Sequence, residues 1–564
     1  MYRPTTRQVP LWGVQSGLPA EARERLAATW AGVFQDRVLP VLLAHEGSFS
    51  KLYRSGTGRP NWSVARRVGI CLLQEMFDLP DQRALDAFSF DVRWQFALGV
   101  EPREAYLSRR SLVDFRSRLV REDPEMTLMR GVFDALRDAQ VGDLKLSVEL
   151  QRMDSTFVMS NIRKRGRVGL FSDTLGTFLR DLRKDRGESV LELSVNLQEW
   201  ASANAKPSGW FGNGGSAPLL QKLAEWLVEV WLHFKHDDDV SSWESYELVA
   251  RLVEEQLRLV RADDDAGGTS GTGSGTADDA EDVGSNTDGV DAHDPVEVIV
   301  RRKPERCGTS LQTPFDPDAA YGHKGVGYSV HVVETCHNEG VPEVITDFEV
   351  TGANQSDWGK TTPALDRLQK GGHVPEVMFV DGGYPSGPAL LEAYERGVDL
   401  HGPVPRLRLP RDTIGREAFR FDEAGKVARC PQGHAPIRRG KRTIEHADGP
   451  APFVYFDRKT CAECPIVERC ITRASRTSHR RLEDRPSLRA RDEALERQRS
   501  HAWWETYAIR SGIEATNSEL KREHGLRRLR VRRKSKVRLA VTTKITACNI
   551  KRWMKTRIRA AKSA

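Results

Sequence analysis

Apolar residues recur with helical spacing through the first quarter of the chain. Residues 62–76 place them on one face of a helix. Residues 107–120 predict a second helix, with a basic face and Ser108 as its N-cap. The pattern therefore predicts a helical domain over residues 1–140.

Shorter apolar runs predict β-strands further along. A helical segment over about 170–260 separates the first run from the others. Strands mixed with helices predict an α/β fold whose sheet combines distant parts of the chain. The runs are residues 144–150, 327–333, 343–350 and 377–380.

The segment 263–294 differs in composition from the rest of the chain. It holds ten acidic residues and no Lys or Arg, amid Gly, Ser and Thr. Such a composition cannot bury enough apolar surface to fold. We therefore expect an acidic flexible linker here, and we expect deletion of residues 263–294 to leave the fold largely intact.

Four functional side chains share one stripe of a predicted helix near the C-terminus. At about 100° of turn per residue, Tyr507, Arg510, Glu514 and Lys521 fall within about 60° of one another. Apolar residues of the same segment fall on the opposite side, where they would be buried. The helix is therefore expected to present its polar stripe to an anionic group.

Two aspartates follow predicted strands upstream of this helix. Asp154 follows the run 144–150, and Asp381 follows the run 377–380 in the segment Asp-Gly-Gly-Tyr. An aspartate in such a place is often a turn or helix-cap residue. Turns and caps also account for the other carboxylates near predicted strands, which are Asp316, Asp318 and Asp357.

The order Asp154, Asp381, Glu514 and the spacing Tyr-x2-Arg-x3-Glu-x6-Lys together resemble one known family. They are similar to the DDE transposases of insertion sequences, in the branch with a Y-x2-R-x3-E-x6-K signature on the glutamate helix. The resemblance implies an RNase H-like mixed sheet flanked by helices, with a helical N-terminal domain and a Cys-rich insertion. It also implies that the strands ending at Asp154 and Asp381 are parallel neighbours.

The resemblance further implies a function and its cofactors. Asp154, Asp381 and Glu514 would be catalytic and would hold two Mg²⁺ or Mn²⁺ ions per active site for DNA cleavage and strand transfer. Magnesium prefers hard carboxylate oxygens, and divalent cations would neutralise three carboxylates that repel one another. The N-terminal helices would bind terminal inverted repeats, although a plain helical bundle explains them too. Two DNA ends per event predict a homodimer.

Positive charge is concentrated in the last 64 residues. Residues 501–564 contain 18 Lys and Arg against 4 Asp and Glu, while the whole chain has a net charge of +7. Clusters of this density give salt-dependent affinity for DNA phosphates, although an exposed basic tail would look similar. The expected DNA-binding residues are Tyr507, Arg510, Lys521, Arg527, Arg528, Arg530, Arg532, Arg533 and Lys534.

Four of the eight cysteines cluster between Asp381 and Glu514. They are Cys430, Cys461, Cys464 and Cys470, with His434 nearby. A Cys-x2-Cys element within such a cluster indicates a structural Zn²⁺ site rather than disulfides in a cytosolic protein. Reduced thiols without a metal are the alternative, and His434 is either a substitute ligand or a neighbour of the site.

The length of 564 residues fits several domains. No run of about 18 apolar residues and no signal peptide is evident, so we expect a cytoplasmic, nucleoid-associated protein without a membrane partner. Two other classes remain: an inactive, domesticated DNA-binding or repressor protein, and a zinc-dependent regulatory scaffold. The expected divisions are 1–140 (helical), 141–262 (first strand and helical insertion), 263–294 (linker), 295–405 (core strands), 406–500 (Cys-rich insertion) and 501–564 (glutamate helix and basic segment).

Overall fold

A mixed six-stranded sheet combines segments that lie far apart in the sequence. The computed structural model shows the strand order β4-β5-β1-β7-β8, with β6 also paired to β5. Strands β1, β7 and β8 are parallel, whereas β5 runs antiparallel to β1, β4 and β6. The strands are β1 (Leu150–Met159), β2 (Leu257–Arg261), β3 (Val296–Val300), β4 (Ala320–Gly322), β5 (Gly325–Thr335), β6 (Ile345–Gly352), β7 (Val377–Val380), β8 (Asp399–His401), β9 (Arg420–Phe421), β10 (Val427–Arg429), β11 (Arg438–Arg442), β12 (Ala451–Phe456), β13 (Arg473–Ser475) and β14 (Ser478–Glu483).

Twenty α-helices complete the described part of the chain. They are α1 (Ala20–Ala27), α2 (Trp30–Val33), α3 (Leu39–His45), α4 (Val64–Met76), α5 (Asp81–Phe90), α6 (Val92–Leu98), α7 (Arg109–Glu122), α8 (Thr127–Leu144), α9 (Arg167–Asp185), α10 (Val195–Ser202), α11 (Ser216–Phe234), α12 (Asp238–Ser241), α13 (Glu244–Gln256), α14 (Thr361–Lys370), α15 (Gly387–Glu395), α16 (Arg458–Ala462), α17 (Pro486–Arg497), α18 (His501–Tyr507), α19 (Ile513–Arg522) and α20 (Lys534–Ser563). A π-helical turn spans Phe34–Val38, and 3₁₀ turns span Glu46–Leu52, Pro102–Glu104, Gly187–Glu192, Arg416–Ala418, Val467–Arg469 and Ala508–Gly512.

The structure describes most of the chain, and the predicted acidic linker lies outside the described residues. Among the described residues, no helix is long and apolar enough to cross a membrane. The described residues are 2–5, 18–53, 61–163, 166–202, 216–261, 296–305, 308–405, 410, 412–423, 425–442, 451–475 and 478–563.

The predicted mixed α/β fold with a helical N-terminal region is confirmed. The strand predicted over residues 377–380 is β7 itself, and the helix predicted over 107–120 is α7, where the Ser108 hydroxyl accepts a hydrogen bond from the Ser111 amide at 3.2 Å. Helices α9–α13 lie in the segment of the predicted helical insertion.

The prediction for the first strand was wrong in its boundaries. Leu144 ends helix α8, and Lys145 follows it in the left-handed conformation with φ 52°. The strand begins only at Leu150 and continues to Met159, so Asp154 lies in the middle of β1 and not at its end. Apolar spacing alone does not distinguish the last turn of a buried helix from the start of a strand.

Helix α20 belongs to two hydrophobic cores. Ile550 and Trp553 pack with the N-terminal helices, whereas Val541 and Ile545 pack with residues of β5 and β6. The Asn549 side chain also bonds the backbone of the sheet: it accepts from the Ile345 amide at 3.0 Å and donates to the Ile345 carbonyl at 2.8 Å. The C-terminal helix thus joins the N-terminal helices to the sheet.

Two further units surround this centre. The insertion helices α9–α13 have a core of their own, with Phe178, Leu227 and Leu252 fully buried. Strands β11, β12, β14 and β13 form an antiparallel sheet with a small core beside Cys430, Cys461 and Cys470.

His524 predicts an acid-dependent loss of stability. It is fully buried behind α19, and burial together with nearby Lys551 lowers its pKa from 6.5 to about 4. The unfolded chain therefore binds a proton between these values while the folded chain does not, so we expect the free energy of unfolding to fall as pH drops from 6.5 toward 4. His524 should contribute on the order of 2 kcal/mol to this fall.

Denaturant unfolding of wild type and His524→Asn between pH 7 and pH 4 tests this contribution. The variant should lose stability less steeply than wild type. His501→Asn, which changes an exposed histidine, should follow wild type. If the free energy of unfolding fell equally with pH in all three proteins, His524 would not be the source of the acid-dependent loss.

Candidate active site

The register of β1 and β7 brings the two aspartates to the same level of the sheet. Met153 on β1 pairs with Val380, the last residue of β7. The next residues, Asp154 and Asp381, are therefore neighbours on parallel strands, as predicted. The Asp154 side chain is 10 % exposed and the Asp381 side chain 53 % exposed.

Glu514 lies in the first turn of α19, but the predicted continuous helix is wrong. Helix α18 ends at Tyr507, and a 3₁₀ turn over Ala508–Gly512 separates it from α19. The Arg152 guanidinium packs into this break and donates to the Ile509 carbonyl at 2.9 Å. A Cβ atom on Gly512 would lie 1.9 Å from Arg152 Nη1, so an added side chain would force Arg152 or the turn to move.

Arg510 lies between the three predicted catalytic carboxylates. Its Nη2 is 3.0 Å from Asp154 Oδ1 and 3.7 Å from Asp381 Oδ2, and its Nη1 is 3.4 Å from Glu514 Oε1. One guanidinium therefore partly neutralises three acidic side chains from distant parts of the chain. The structure brings all three predicted carboxylates together.

Asp154 is the most confined of the three carboxylates. Burial raises its pKa to about 6, and the negative charges of Glu514 and Asp381 act in the same direction, although Arg510 opposes them. Its Oδ2 accepts a hydrogen bond from Asn517 Nδ2 at 3.1 Å. A site that makes a carboxylate costly to ionise, and that contains two more hard oxygen donors, has the chemistry to bind divalent cations.

Among the described residues, one trio outside the three carboxylates has possible metal-ligand atoms within 4.8 Å of one another. It consists of Glu519, His524 and Cys548. Arg552 already binds Glu519 Oε2, through Nε at 3.0 Å and Nη2 at 2.7 Å. We therefore assign this trio to the packing of α19 on α20.

Tyr507 and Lys521 also lie beside the carboxylates. The Tyr507 hydroxyl donates to the Val380 carbonyl at 3.2 Å, and its ring stacks on Trp503 with centroids 5.3 Å apart. Burial raises the pKa of Tyr507 to about 12. Lys521 is half-buried, and burial together with Lys324 lowers its pKa. Tyr507 thus ties α18 to the end of β7.

A buried polar cluster behind Asp381 was not predicted. The Tyr384 hydroxyl lies 2.9 Å from His331 Nδ1, and Asp357 Oδ1 lies 3.6 Å from the same nitrogen. The Tyr384 amide donates to the Asp381 carbonyl at 3.0 Å. Burial lowers the pKa of His331 to about 4. The cluster lies against the turn that carries Asp381.

A second unpredicted network anchors the glutamate helix. Glu334 on β5 is fully buried and accepts from Arg152 Nε at 2.8 Å and from the Thr516 hydroxyl at 2.5 Å. Arg552 donates to the Thr516 hydroxyl at 2.6 Å. Because breaking a buried charged network is costly, these contacts hold Glu514 over the sheet.

The basic segment that follows α19 is ordered along the end of β1. The Met159 amide donates to the Arg527 carbonyl at 3.1 Å, and Arg532 Nε donates to the Asn161 carbonyl at 2.7 Å. Leu529 is buried between them. Arg527, Arg528, Arg530, Arg532 and Arg533 are exposed, whereas Lys534 is half-buried.

Asp316 and Asp318 act as caps for α20, as predicted. The Arg533 amide donates to Asp316 at 2.7 Å, and the Lys534 amide donates to Asp318 at 2.8 Å. Asp316 is fully buried and also accepts from the Tyr328 hydroxyl at 2.6 Å.

The four predicted zinc ligands line one cavity of about 180 Å³. Burial and the neighbouring thiols raise the pKa of Cys461. The Thr472 hydroxyl donates to Cys470 Sγ at 3.2 Å. His434 lines the same cavity as Cys430, Cys461, Cys464 and Cys470.

Two family models match this chain. One, described as a transposase DDE domain, matches residues 429–554, which include Glu514 and the four cysteines. The other, described as a transposase domain (DUF772), matches residues 35–118 of the N-terminal helices. Comparison with curated proteins and with solved structures gave no match.

The matched regions stop short of Asp154 and Asp381, which lie outside both. The sheet brings these two aspartates to the Glu514 helix within the DDE-domain match. The two matches support an insertion-sequence DDE transposase.

Proposed function

We propose that this transposase binds the terminal inverted repeats of its insertion sequence, cuts DNA at their ends and joins the cut end to target DNA. Asp154, Asp381 and Glu514 are the catalytic residues of this proposal. The observation that supports it best is the convergence of the three carboxylates around Arg510 at 3.0, 3.7 and 3.4 Å.

The three carboxylates suit two Mg²⁺ or Mn²⁺ ions in their donor chemistry. Such ions would activate a water or a 3′-hydroxyl and stabilise charge on the attacking and leaving oxygens. Asp154 and Asp381 would hold them at the sheet, and Glu514 would complete the ligand set from the helix. Since Arg510 lies among these side chains, we expect its guanidinium to turn from the carboxylates to a substrate phosphate when the cations bind.

The protein's own side chains position the DNA around this centre. Attack at phosphorus forms one P–O bond and breaks another, and the leaving 3′-oxygen takes up a proton from solvent. Arg510 and Lys521 bind phosphate oxygens in this proposal, the first through its planar fork and the second as a point charge. Tyr507 keeps α18 against β7, so it acts on the geometry of Asp381.

The exposed arginines of the segment 527–533 supply affinity without reading sequence. Two DNA ends must be processed together, so the proposal includes a homodimer in the synaptic complex. The division of the chain into a helical N-terminal domain, a core with two insertions and a basic C-terminal segment also remains part of the proposal.

We also propose a structural Zn²⁺ in the cavity lined by Cys430, Cys461, Cys464 and Cys470. Thiolates are the ligands that a closed tetrahedral zinc site uses. The surrounding core is small, with five buried apolar residues. A metal would therefore supply stability that this core cannot supply by itself.

Removal of one carboxylate should abolish cleavage and spare binding. Asp381→Asn and Glu514→Gln keep the side-chain shape but remove a metal ligand. We expect at least a thousandfold loss of Mg²⁺- or Mn²⁺-dependent cutting of a plasmid that carries the DNA flanking this gene, with DNA binding retained.

The matched control is Glu505→Gln, an exposed carboxylate on α18, which should cut like wild type. If wild type binds the flanking DNA but never cuts it with either metal, an inactive DNA-binding protein becomes the better account.

Gly512→Ala should impair cleavage without unfolding the protein. The added methyl group would meet Arg152 and push the 3₁₀ turn, and with it Arg510 and Glu514, out of position. A displacement of about 1 Å at a reacting centre costs up to about a hundredfold in rate. We expect a ten- to hundredfold loss of cleavage rate with DNA affinity unchanged.

Gly142→Ala provides the control, because a Cβ atom there meets nothing within 4 Å. That variant should cut normally and gain slightly in stability, since alanine favours a helix. Normal cleavage by Gly512→Ala would show that the 3₁₀ turn tolerates the added methyl group, and would contradict this prediction.

Zinc content should depend on the cysteine cluster alone. We expect one Zn²⁺ per chain by elemental mass spectrometry of the purified protein, and loss of that zinc in Cys461→Ser. Cys548→Ser, which changes a buried cysteine of α20, should keep the metal. Wild-type protein that contains no zinc, or a Cys461→Ser variant that keeps it, would refute the site.

A further inference from the structure

A cleft of about 810 Å³ separates the N-terminal helices from the C-terminal basic segment. One wall is formed by α4, α5 and α7, and the other by residues 525–531 and the first turns of α20. Parts of the chain more than 400 residues apart therefore face each other across one opening.

The cleft is lined by six cationic and three acidic side chains. Each acid already has a cationic partner, and those pairs are Arg116–Asp81 at 2.5 Å, Lys544–Glu75 at 2.5 Å and Arg530–Asp78 at 3.8 Å. The remaining cations are Arg109, Arg528 and Lys536.

These three cations are exposed. Arg528 donates to the Ile162 carbonyl at 3.4 Å, and Arg109 is one of the positive charges that act on Asp81. Arg109 belongs to the N-terminal wall, whereas Arg528 and Lys536 belong to the C-terminal wall. Exposed cations on two facing walls favour a polyanion between them.

Cationic side chains lie between the cleft and the active site. Lys521 and Lys324 lie near the carboxylates, and Arg527 contributes to the positive field at Lys521. Arg527 is in turn bonded to Met159 at the end of β1. Exposed cations thus extend from the carboxylates to the mouth of the cleft.

The length of β1 gives the distance from the carboxylates to the cleft. Asp154 and Met159 are five residues apart on β1, which corresponds to about 17 Å at 3.3 Å per residue. Phosphates on one DNA strand are about 3.4 Å apart along the helix axis. A backbone that follows β1 from the carboxylates therefore reaches the cleft about five nucleotides from the reacting phosphate.

We propose that this cleft binds the phosphate backbone of one strand of the substrate DNA, about five nucleotides from the scissile phosphate. Arg109 contacts it from the N-terminal helices, and Arg528 and Lys536 contact it from the C-terminal segment of the same chain. The inference rests on the proposed function and adds that the two terminal regions form one DNA-binding surface.

The test uses full-length protein in the Asp381→Asn background, so that binding is measured without cutting. The probe is a duplex of the DNA that flanks this gene, and the variant is Arg109→Ala with Lys536→Ala. A plot of the logarithm of the binding constant against the logarithm of the salt concentration becomes less steep by about 0.9 for each lost phosphate contact, so the double variant should be less steep by about 1.8.

The matched control combines Arg110→Ala with Lys562→Ala. Arg110 is next to Arg109 on α7 and is 91 % exposed, and Lys562 is an exposed residue near the end of α20. Neither lines the cleft. This control should keep the slope of its parent, and thermal melts should show that all variants are folded.

Methylphosphonate substitution in the probe locates the contact. Neutral linkages four to six nucleotides from the cut should weaken binding by the parent at least fivefold and should have little effect on the double variant. The proposed role of the cleft would be overturned if the double variant kept the salt dependence of its parent, or if the neutral linkages weakened binding by the parent and by the double variant equally. Cleavage by otherwise wild-type protein would still support the proposed function in that case. Absence of both binding and cleavage would overturn both proposals.

Discussion

Three carboxylates must occupy one small region although their charges repel one another. The structure meets this constraint with Arg510, which lies between Asp154, Asp381 and Glu514 and forms ion pairs with all three. Burial is the main cause of the raised pKa of Asp154, and the negative charges of Glu514 and Asp381 add to it. Divalent cations that replace the single guanidinium charge would stabilise these repelling carboxylates further. This stabilisation links metal binding to catalysis in the proposed mechanism.

The scaffold must hold these groups against that repulsion. The parallel register of β1 and β7 fixes the two aspartates, and the buried contacts of Glu334 with Arg152 and Thr516 fix the glutamate helix. Helix α20 contributes to the N-terminal core and to the core of the sheet. The DDE-domain match and the N-terminal match therefore correspond to parts that share one core.

The sequence predicted what short-range patterns determine. Strand β7, the Ser108 cap and the clustering of the cysteines depend on residue type and local spacing, whereas the acidic trio was inferred from the family resemblance. The predictions were wrong where tertiary contacts determine the boundaries of helices and strands. Arg152, from a distant strand, packs against Gly512 where the glutamate helix breaks, and the left-handed Lys145 follows the end of α8. The cluster of His331 and Tyr384 joins strands that no local pattern connects.

Iron-mediated cleavage of the protein backbone tests the central claim, that the three carboxylates form one divalent-cation site. In the presence of hydrogen peroxide and ascorbate, Fe²⁺ bound in place of Mg²⁺ reduces the peroxide to hydroxyl radicals that cut the chain beside its ligands. The account predicts cuts within a few residues of Asp154, Asp381 and Glu514, all suppressed by excess Mg²⁺ and lost together in Asp154→Asn. Cuts near only one of the three, or cuts that Mg²⁺ does not suppress, would contradict a shared site.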